Sequence, residues 1–255
     1  MNFTKNLNQN ISFIIPIYNE EKFLAGHFEK LLKNFTNYDE IILIDCKSTD
    51  DSKSVLLKLQ QNYLNLKIKI LDCDIRNPGT ARNLGAASST NSLLFFLDAG
   101  HLISKINFDL LRNSCGKKTL KFPNRRLSSE GDLLFYANAL LFEPIGEIVD
   151  FDKHYRHPKV SAFLISRDHW SELGGFRNWR SGEDREFIKR INIENLPNIT
   201  IPNVEIVALP EDSFILLFKK KYNYSFDKAY RKLIEKYQII SSLYSSSYIL
   251  SFCFF

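Results

Sequence analysis

The chain has 255 residues, a 44% hydrophobic share and a formal net charge of +5. This length accommodates one sizeable core, or one domain with an appendage at its carboxyl end. The mild positive charge does not by itself indicate a nucleic-acid-binding protein, because anionic lipid or a phosphorylated substrate fits equally well. The four cysteines show no spacing typical of a zinc site, so we expect free thiols and a reducing cytoplasm.

Short apolar runs that alternate with helical patterns predict a parallel, right-handed α/β sheet. Strands are predicted over residues 11–18, 40–45, 66–71, 92–97 and 160–165. Helices are predicted after the polar turns 19–21 and 48–52, and over residues 81–87, 167–173 and 185–191. We expect the first of these helices to bury apolar residues as far as Phe35. The segment 105–159 gives no clear pattern.

Carboxylates follow two of the most apolar predicted strands. Asp45 ends the second strand, and Asp98 follows the run Ser92–Leu97 directly. Open α/β sheets bind ligands at the carboxyl ends of their strands, so these positions favour a ligand site. Capping of the next element is the alternative for both residues.

Four segments in this order resemble the inverting, GT-A-type glycosyltransferases of family 2. They read FIIPIYNEEKFL, EIILIDCKSTDDS, ARNLGAASSTNSLLFFLDAG and FLISRDHWSELGGFRNWRSGEDREFIKRI. The resemblance implies a GT-A-like, Rossmann-type α/β fold with a mostly parallel sheet flanked by helices over residues 1–210. It also implies transfer of a sugar, with inversion, from a nucleotide-sugar donor to a glycan or lipid-linked acceptor.

The resemblance also assigns roles to single residues. The donor-binding residues it implies are Pro16, Tyr18, Glu20, Asp45, Arg82 and Asp98. Among them, Tyr18 is expected to pack on the base and Arg82 to reach the base's carbonyl edge. The general base that deprotonates the acceptor hydroxyl is expected to be Asp184, with Glu183 as the next candidate. First-turn acids favoured by the helix dipole are the structural alternative for this pair.

Two positions depart from the family pattern. Cys46 stands where a second acidic residue is usual, which leaves the identity of the donor's nucleotide base open. Gly100 stands where the last Asp of the Asp-x-Asp metal motif is usual, so Asp98 is the metal ligand that the motif retains. We therefore expect weakly bound Mg²⁺ or Mn²⁺, or metal-independent activity. The basic cluster 153–159, with Arg156 and Lys159, is a candidate phosphate-binding segment that could offset the diphosphate charge.

The carboxyl-terminal segment 211–255 is predicted to be a basic helical extension. Its basic residues are Lys219, Lys220, Lys221, Lys228, Arg231, Lys232 and Lys236. Aromatic and aliphatic residues among these lysines favour peripheral association with the anionic inner face of the cell membrane, and a solvated helix face is the alternative. The polar start of the chain lacks the apolar core of a secretory signal, so the expected location is cytoplasmic.

Two other functions fit the sequence less well. A catalytically degenerate nucleotide-sugar-binding protein would explain the missing metal-motif carboxylate. A nucleotidyltransferase would share a nucleotide-binding sheet, but the glycine-rich phosphate loop usual in that class does not follow the first strand.

Overall fold

A computed structural model describes residues 10–32, 35–113, 120–127, 161–179, 182–191 and 200–208 of the chain, together with residues 213–215, 218, 219, 222 and 225. By its internal contacts the backbone divides into two compact units, Met1–Pro210 and Glu211–Phe255. Across the described ranges, no helix has both the length and the apolar character needed to cross a bilayer.

The first unit is built on an eight-stranded mixed sheet with the order β3-β2-β1-β4-β7-β6-β8-β5. Its strands are β1 (Ile11–Ile17), β2 (Glu40–Asp45), β3 (Lys67–Asp72), β4 (Leu93–Leu97), β5 (His101–Lys105), β6 (Leu120–Leu127), β7 (Ala162–Ser166) and β8 (Thr200–Ala208). Strands β1 to β4 run parallel, so their carboxyl ends share one edge, which we call the carboxyl edge. Strand β7 pairs antiparallel with β4.

Seven short or medium helices accompany the sheet in the described part of the first unit. They are α1 (Glu21–Phe23), α2 (Glu29–Leu32), α3 (Ser52–Asn62), α4 (Pro78–Ser88), α5 (Phe108–Asn113), α6 (Arg167–Glu172) and α7 (Glu183–Arg190), and a π-helical turn (Leu24–Phe28) joins α1 to α2. Helix α4 begins with Asn77 as its N-cap, whose side chain accepts the Thr80 N–H at 3.1 Å.

The core lies on both faces of the sheet because side chains alternate along each strand. On one face, Phe13 and Phe95 pack against the helices between β1 and β3. On the other face, Ile14 and Phe96 pack against α4 and α7. Each strand from β1 to β4 is therefore covered by helices on both faces, except where β3 lies at the edge of the sheet. This burial explains why β1, β2 and β4 read as continuous apolar runs.

The sequence-based elements are largely present, with three corrections. The expected helix around Phe23 to Phe35 is two short helices joined by a π turn, and Phe35 packs edge-on to Phe13 from outside any helix. Apolar spacing cannot distinguish a helical residue from a loop residue that reaches the same core. The sheet is mostly parallel, as expected, with β7 reversed, but β5, β6 and β8 were not predicted. Helix α7 begins at Glu183, two residues earlier than expected.

Candidate active site

The loops that follow β1 and β2 interlock at the carboxyl edge. Asn19 adopts a φ of 54°, and its side chain accepts the Thr49 N–H at 2.7 Å. The backbone N–H groups of Asn19 and Glu20 donate to the hydroxyls of Ser48 at 3.1 Å and Ser52 at 2.8 Å. These bonds hold the two loops together beside the strand ends.

Tyr18 lies in the loop after β1, with 38% of its surface exposed. The Arg76 guanidinium lies 4.3 Å from the centre of the Tyr18 ring, in cation–π contact. Pro16, two residues before Tyr18, is half-buried within β1. An exposed aromatic ring with a stacked cation is a suitable surface for a flat, electron-rich ring of a ligand. No sequence pattern singled out Arg76. Its contact with Tyr18 arises because β2 pairs with both β1 and β3, so the loops after β1 and β3 lie at the same edge of the sheet.

Asp45 is buried at the end of β2, and its Oδ1 finds no hydrogen-bond partner among the described residues. Beside it, the Cys46 N–H donates to the Ile17 carbonyl at 2.8 Å, which extends the ladder between β1 and β2. Burial raises the pKa of the Cys46 thiol to about 12, and the neighbouring Cys73 and Asp45 add to the shift. Cys46 is therefore a neutral, buried side chain, and Asp45 is the group at this strand end with unused acceptor capacity.

Arg82 is the most heavily engaged side chain of the site. It is buried in α4, where its Nη2 donates to Asp98 Oδ1 and its Nη1 donates to Glu183 Oε1 at 2.6 Å. The guanidinium also lies 5.3 Å from the ring centre of Phe176. Burial lowers the pKa of Arg82, but the charges of Asp98 and Glu183 outweigh this and raise it above its ordinary value. The guanidinium is thus a permanent cation shared by two carboxylates.

Glu183 and Asp184 open α7 after Gly182, which has a left-handed φ of 73°. Glu183 is 5% exposed, whereas Asp184 is half-buried. Burial raises the pKa of the Glu183 carboxyl, Arg82 opposes the shift, and the charge of Asp184 adds to it. The two adjacent acids therefore have different surroundings, one locked inward on a guanidinium and one nearer to solvent.

The segment between α6 and α7 runs back along α4. Asn83 bonds Phe176 twice, accepting its N–H and donating to its carbonyl, both at 2.9 Å. Further along, the Asn178 Oδ1 accepts from Asn77 at 2.6 Å and from Thr80 at 2.8 Å. This path starts near the beginning of β4, where Arg167 bonds the carbonyl of Asn91, and ends with Glu183 at the carboxyl edge. It explains how the reversed strand β7 can still deliver α7 to the same edge as Asp98.

The structure thus brings Arg82, Asp98, Glu183 and Asp184 together, and it places Tyr18 and Asp45 on the same edge at the ends of β1 and β2. Arg156 and Lys159 lie outside the described residues. Sequence reasoning missed Asn83 and Asn178, which together with the N-cap residue Asn77 fasten the loop before α7 to α4. The Asn83 position adjoins Arg82 inside the segment that carried the family resemblance, and that adjacency was the available signal.

The retained metal-motif residue, Asp98, is about one-third exposed. No group of three or more His, Cys, Asp or Glu side chains suited to a metal ion occurs in the part of the chain that the structure describes. Asp98 is a hard carboxylate ligand of the kind that Mg²⁺ and Mn²⁺ prefer, and in the described part of the chain its side chain is paired with Arg82.

Comparison with known sequences finds a family match over part of the chain. Residues 12–106 match the family profile described as glycosyl transferase family 2. A poly(ribitol-phosphate) beta-N-acetylglucosaminyltransferase, TarS of Staphylococcus aureus, is 31% identical over 97 residues, which cover 37% of this chain and 17% of TarS. The minor teichoic acid biosynthesis protein GgaA of Bacillus subtilis is 35% identical over 99 residues, which cover 37% of this chain and 22% of GgaA. The chain thus matches about a fifth of the length of these relatives.

Solved structures resemble the fold over more of the chain. The mannosyltransferase PcManGT from Pyrobaculum calidifontis, in complex with GDP-Man and Mn²⁺, superposes with a TM-score of 0.58 at 19% identity, over 87% of this chain and 64% of that one. S. aureus TarS 1-349 in complex with UDP-GlcNAc gives 0.55 at 16% identity, over 80% and 59%. The chain therefore has the GT-A fold, and the resemblance to glycosyl transferase family 2 indicated by its motifs is confirmed over residues 12–106.

Proposed function

We propose that the chain is an inverting glycosyltransferase that moves a sugar from a nucleotide-sugar donor to a glycan or lipid-linked acceptor. The observation that carries this proposal is the meeting of Asp98 with the Glu183–Asp184 pair, through Arg82, at the carboxyl edge of the sheet. Ligands of open α/β sheets bind at this edge. The family match and the fold of known sugar transferases support the same reaction class.

In the proposed reaction, Asp184 accepts the proton of the acceptor hydroxyl. The acceptor oxygen then forms a bond to the anomeric carbon while the bond from that carbon to the diphosphate oxygen breaks, so the nucleoside diphosphate leaves on the opposite face. Asp184 is better placed for this role than Glu183, because Glu183 is buried against Arg82 and Asp184 is half-buried. A base must lie within hydrogen-bond reach of the proton that it removes.

The donor is proposed to lie across the ends of β1, β2 and β4. Tyr18 offers an exposed ring for the base, and the Asp45 Oδ1 can accept a hydrogen bond from a base N–H or a ribose hydroxyl. Pro16 and Glu20 shape the loop on which Tyr18 lies. Asp98, at the end of β4, is suited to the sugar-diphosphate portion.

Charge favours a divalent cation at Asp98. Three carboxylates, Asp98, Glu183 and Asp184, surround the Arg82 guanidinium, so this cluster is net negative when all are ionised. A diphosphate that approaches such a cluster needs added positive charge. Mg²⁺ or Mn²⁺ would supply it and stabilise the leaving diphosphate. Asp98 would hold it, with the remaining ligands drawn from the donor and water, so we propose weak binding. Arg156 and Lys159 are the alternative source of positive charge.

The test is a transfer assay with purified full-length protein. Because TarS acts on poly(ribitol-phosphate) and one structural neighbour binds GDP-Man, the donor panel contains UDP-GlcNAc, UDP-glucose and GDP-mannose, and the acceptor panel contains poly(ribitol-phosphate) and polyprenyl-phosphate-linked sugars. We expect transfer from one donor with inverted anomeric configuration, and a lower rate in EDTA. No transfer, together with no thermal stabilisation by any nucleoside diphosphate, would refute the proposal.

Gly100 favours a second candidate, a protein that binds nucleotide sugars without transferring them. The residue removes the carboxylate usual at the end of the metal motif, and so weakens the site that assists departure of the diphosphate. Thermal stabilisation by a nucleoside diphosphate without transfer to any acceptor would select this candidate.

We further propose that the second unit associates peripherally with anionic membrane on the cytoplasmic side. Phe214, Ile215 and Phe218 are exposed in this unit, next to the exposed Lys219. Each lysine near anionic head groups contributes about 1 kcal/mol, and salt weakens the attraction. Co-sedimentation with phosphatidylglycerol vesicles tests this: we expect binding at low salt that the paired change Phe214→Asp and Phe218→Asp abolishes. Equal recovery with purely zwitterionic vesicles would contradict the electrostatic part.

A further inference from the structure

Arg82 links two parts of the proposed active site that the chain supplies from distant segments. Its Nη2 holds Asp98 at the end of β4, and its Nη1 holds Glu183 at the start of α7. The two carboxylates occupy both terminal nitrogens of a side chain that is 5% exposed. A guanidinium so enclosed has little surface left for a ligand, which argues against the direct donor contact expected from the sequence.

The surroundings of Arg82 fix it firmly. Phe176 packs over the guanidinium, and its backbone is itself bonded to Asn83, the residue after Arg82 in α4. The Asp98 N–H donates to the Ser161 carbonyl at 2.7 Å, so the strand end that Arg82 holds is also fixed. Each end of the Asp98–Arg82–Glu183 chain of contacts therefore rests on regular secondary structure rather than on a free loop.

We propose that Arg82 is a positioning residue: it sets the start of α7, and with it Asp184, at a fixed place relative to Asp98. The inference rests on the proposed function, since it gives Asp184 the role of base. In this arrangement Glu183 anchors α7 to Arg82 and does not take the proton. The planar fork of arginine suits this task because its two terminal nitrogens bind two carboxylates in one fixed geometry, which the single ammonium of lysine cannot reproduce.

The main test is Arg82→Lys, which keeps the charge and most of the volume. Arg112→Lys is the matched control, because Arg112 makes a similar partly buried pair with Asp39, at 2.8 Å, near the opposite edge of the sheet. We expect kcat to fall roughly 100-fold in Arg82→Lys, as a small misplacement of a reacting group does, and to stay within about twofold in Arg112→Lys. We expect the affinity for the nucleoside diphosphate of the active donor to change by less than roughly tenfold in both.

Glu183→Gln separates anchoring from proton transfer. Glutamine keeps an oxygen that can accept from Arg82 but cannot act as a base, so we expect kcat to fall less than roughly tenfold, against about 10²- to 10⁴-fold for Asp184→Asn. Nucleoside diphosphate affinity that falls as much as kcat in Arg82→Lys would overturn the inference and show a direct donor contact. An unchanged kcat in Arg82→Lys would also overturn the inference. So would a fall in kcat in Glu183→Gln as large as that in Asp184→Asn.

Amide hydrogen exchange in the first turn of α7 provides a measurement that does not need activity. The Glu186 N–H bonds the Gly182 carbonyl at 3.1 Å, so its exchange reports how well this turn is held. We expect exchange there to be roughly tenfold faster in Arg82→Lys than in Arg112→Lys. Equal rates would overturn the positioning role. Faster exchange in a protein that neither transfers sugar nor is stabilised by any nucleoside diphosphate would support it and refute the proposed function alone.

Discussion

Gly79 lies in the first turn of α4, against the loop that leads to α7. A Cβ added there would lie 2.5 Å from the Arg177 carbonyl oxygen and 3.2 Å from the Glu183 Cγ. Because the backbone oxygen cannot rotate away as a side chain can, Gly79→Ala must move the loop by about 0.9 Å to reach ordinary contact. A shift of this size next to Glu183 displaces the start of α7, so we expect kcat to fall roughly 100-fold.

The same substitution also changes stability. Overpacking of this kind costs about 1–3 kcal/mol of the free energy of unfolding, and the higher helix propensity of alanine returns up to about 1 kcal/mol. Gly85→Ala is the matched control, since its Cβ would lie 2.5 Å from Ile14 Cγ2 and 2.9 Å from Ile44 Cδ1, against side chains of β1 and β2 rather than the loop before α7. Urea unfolding and initial rates of nucleoside diphosphate release measure the two effects separately. Similar stability losses with a kcat loss in Gly79→Ala alone are expected, and equal kcat values in the two variants would refute the reasoning.

Three further predictions follow from individual side chains. Asp184→Asn should keep the fold and nucleoside diphosphate binding while transfer falls about 10²- to 10⁴-fold, and near-normal turnover would move the base elsewhere. Gly100→Asp should tighten Mn²⁺ binding measured by calorimetry, because it adds a second hard oxygen ligand near Asp98, and unchanged affinity would show that other groups hold the ion. Burial opposes a lowered pKa at Glu40, but bonds from the Ser12 and Thr90 hydroxyls and the Thr90 N–H outweigh it and lower that pKa. Glu40→Gln should therefore lower the free energy of unfolding by about 1–2 kcal/mol at pH 6. This difference from the natural protein should shrink as the pH falls below about 4.3, the pKa of glutamate in the unfolded chain, and through the lower pKa of Glu40 in the folded protein. A stability difference independent of pH would contradict this.

The parallel half of the fold was predictable because burial on both faces leaves a simple signature. Strands such as Ile11–Ile17 and Leu93–Leu97 are uniformly apolar, and helices between them show caps such as Asn77. The other half was not predictable in the same way. Strand β6, Leu120–Leu127, contains Lys121, Pro123 and two arginines, which hide a strand from any apolar pattern.

The candidate site was predictable as a set of residues but not as a set of contacts. Asp98 and Asp45 could be placed at strand ends from the order of elements alone. The pairing of Arg82 with Glu183 could not, because it depends on the reversal of β7 and on the path of residues 173–179 along α4. Arg82 accordingly looked like a group that faces the donor, whereas the structure encloses it between two carboxylates.

The distance along the chain between the partners of this site has a consequence for folding. Arg82 and Glu183 are 101 residues apart in sequence, and Asn83 and Phe176 are 93 apart. Contacts between such distant residues form late, because the loop between them must close before the contact can stabilise anything. The parallel strands β1 to β3, whose paired residues are fewer than 30 apart in sequence, can pair before α7 docks, so secondary structure and transfer activity should appear at different times. Refolding from urea should accordingly restore far-ultraviolet circular dichroism before it restores the proposed transfer activity, which should return only when the last long loop closes.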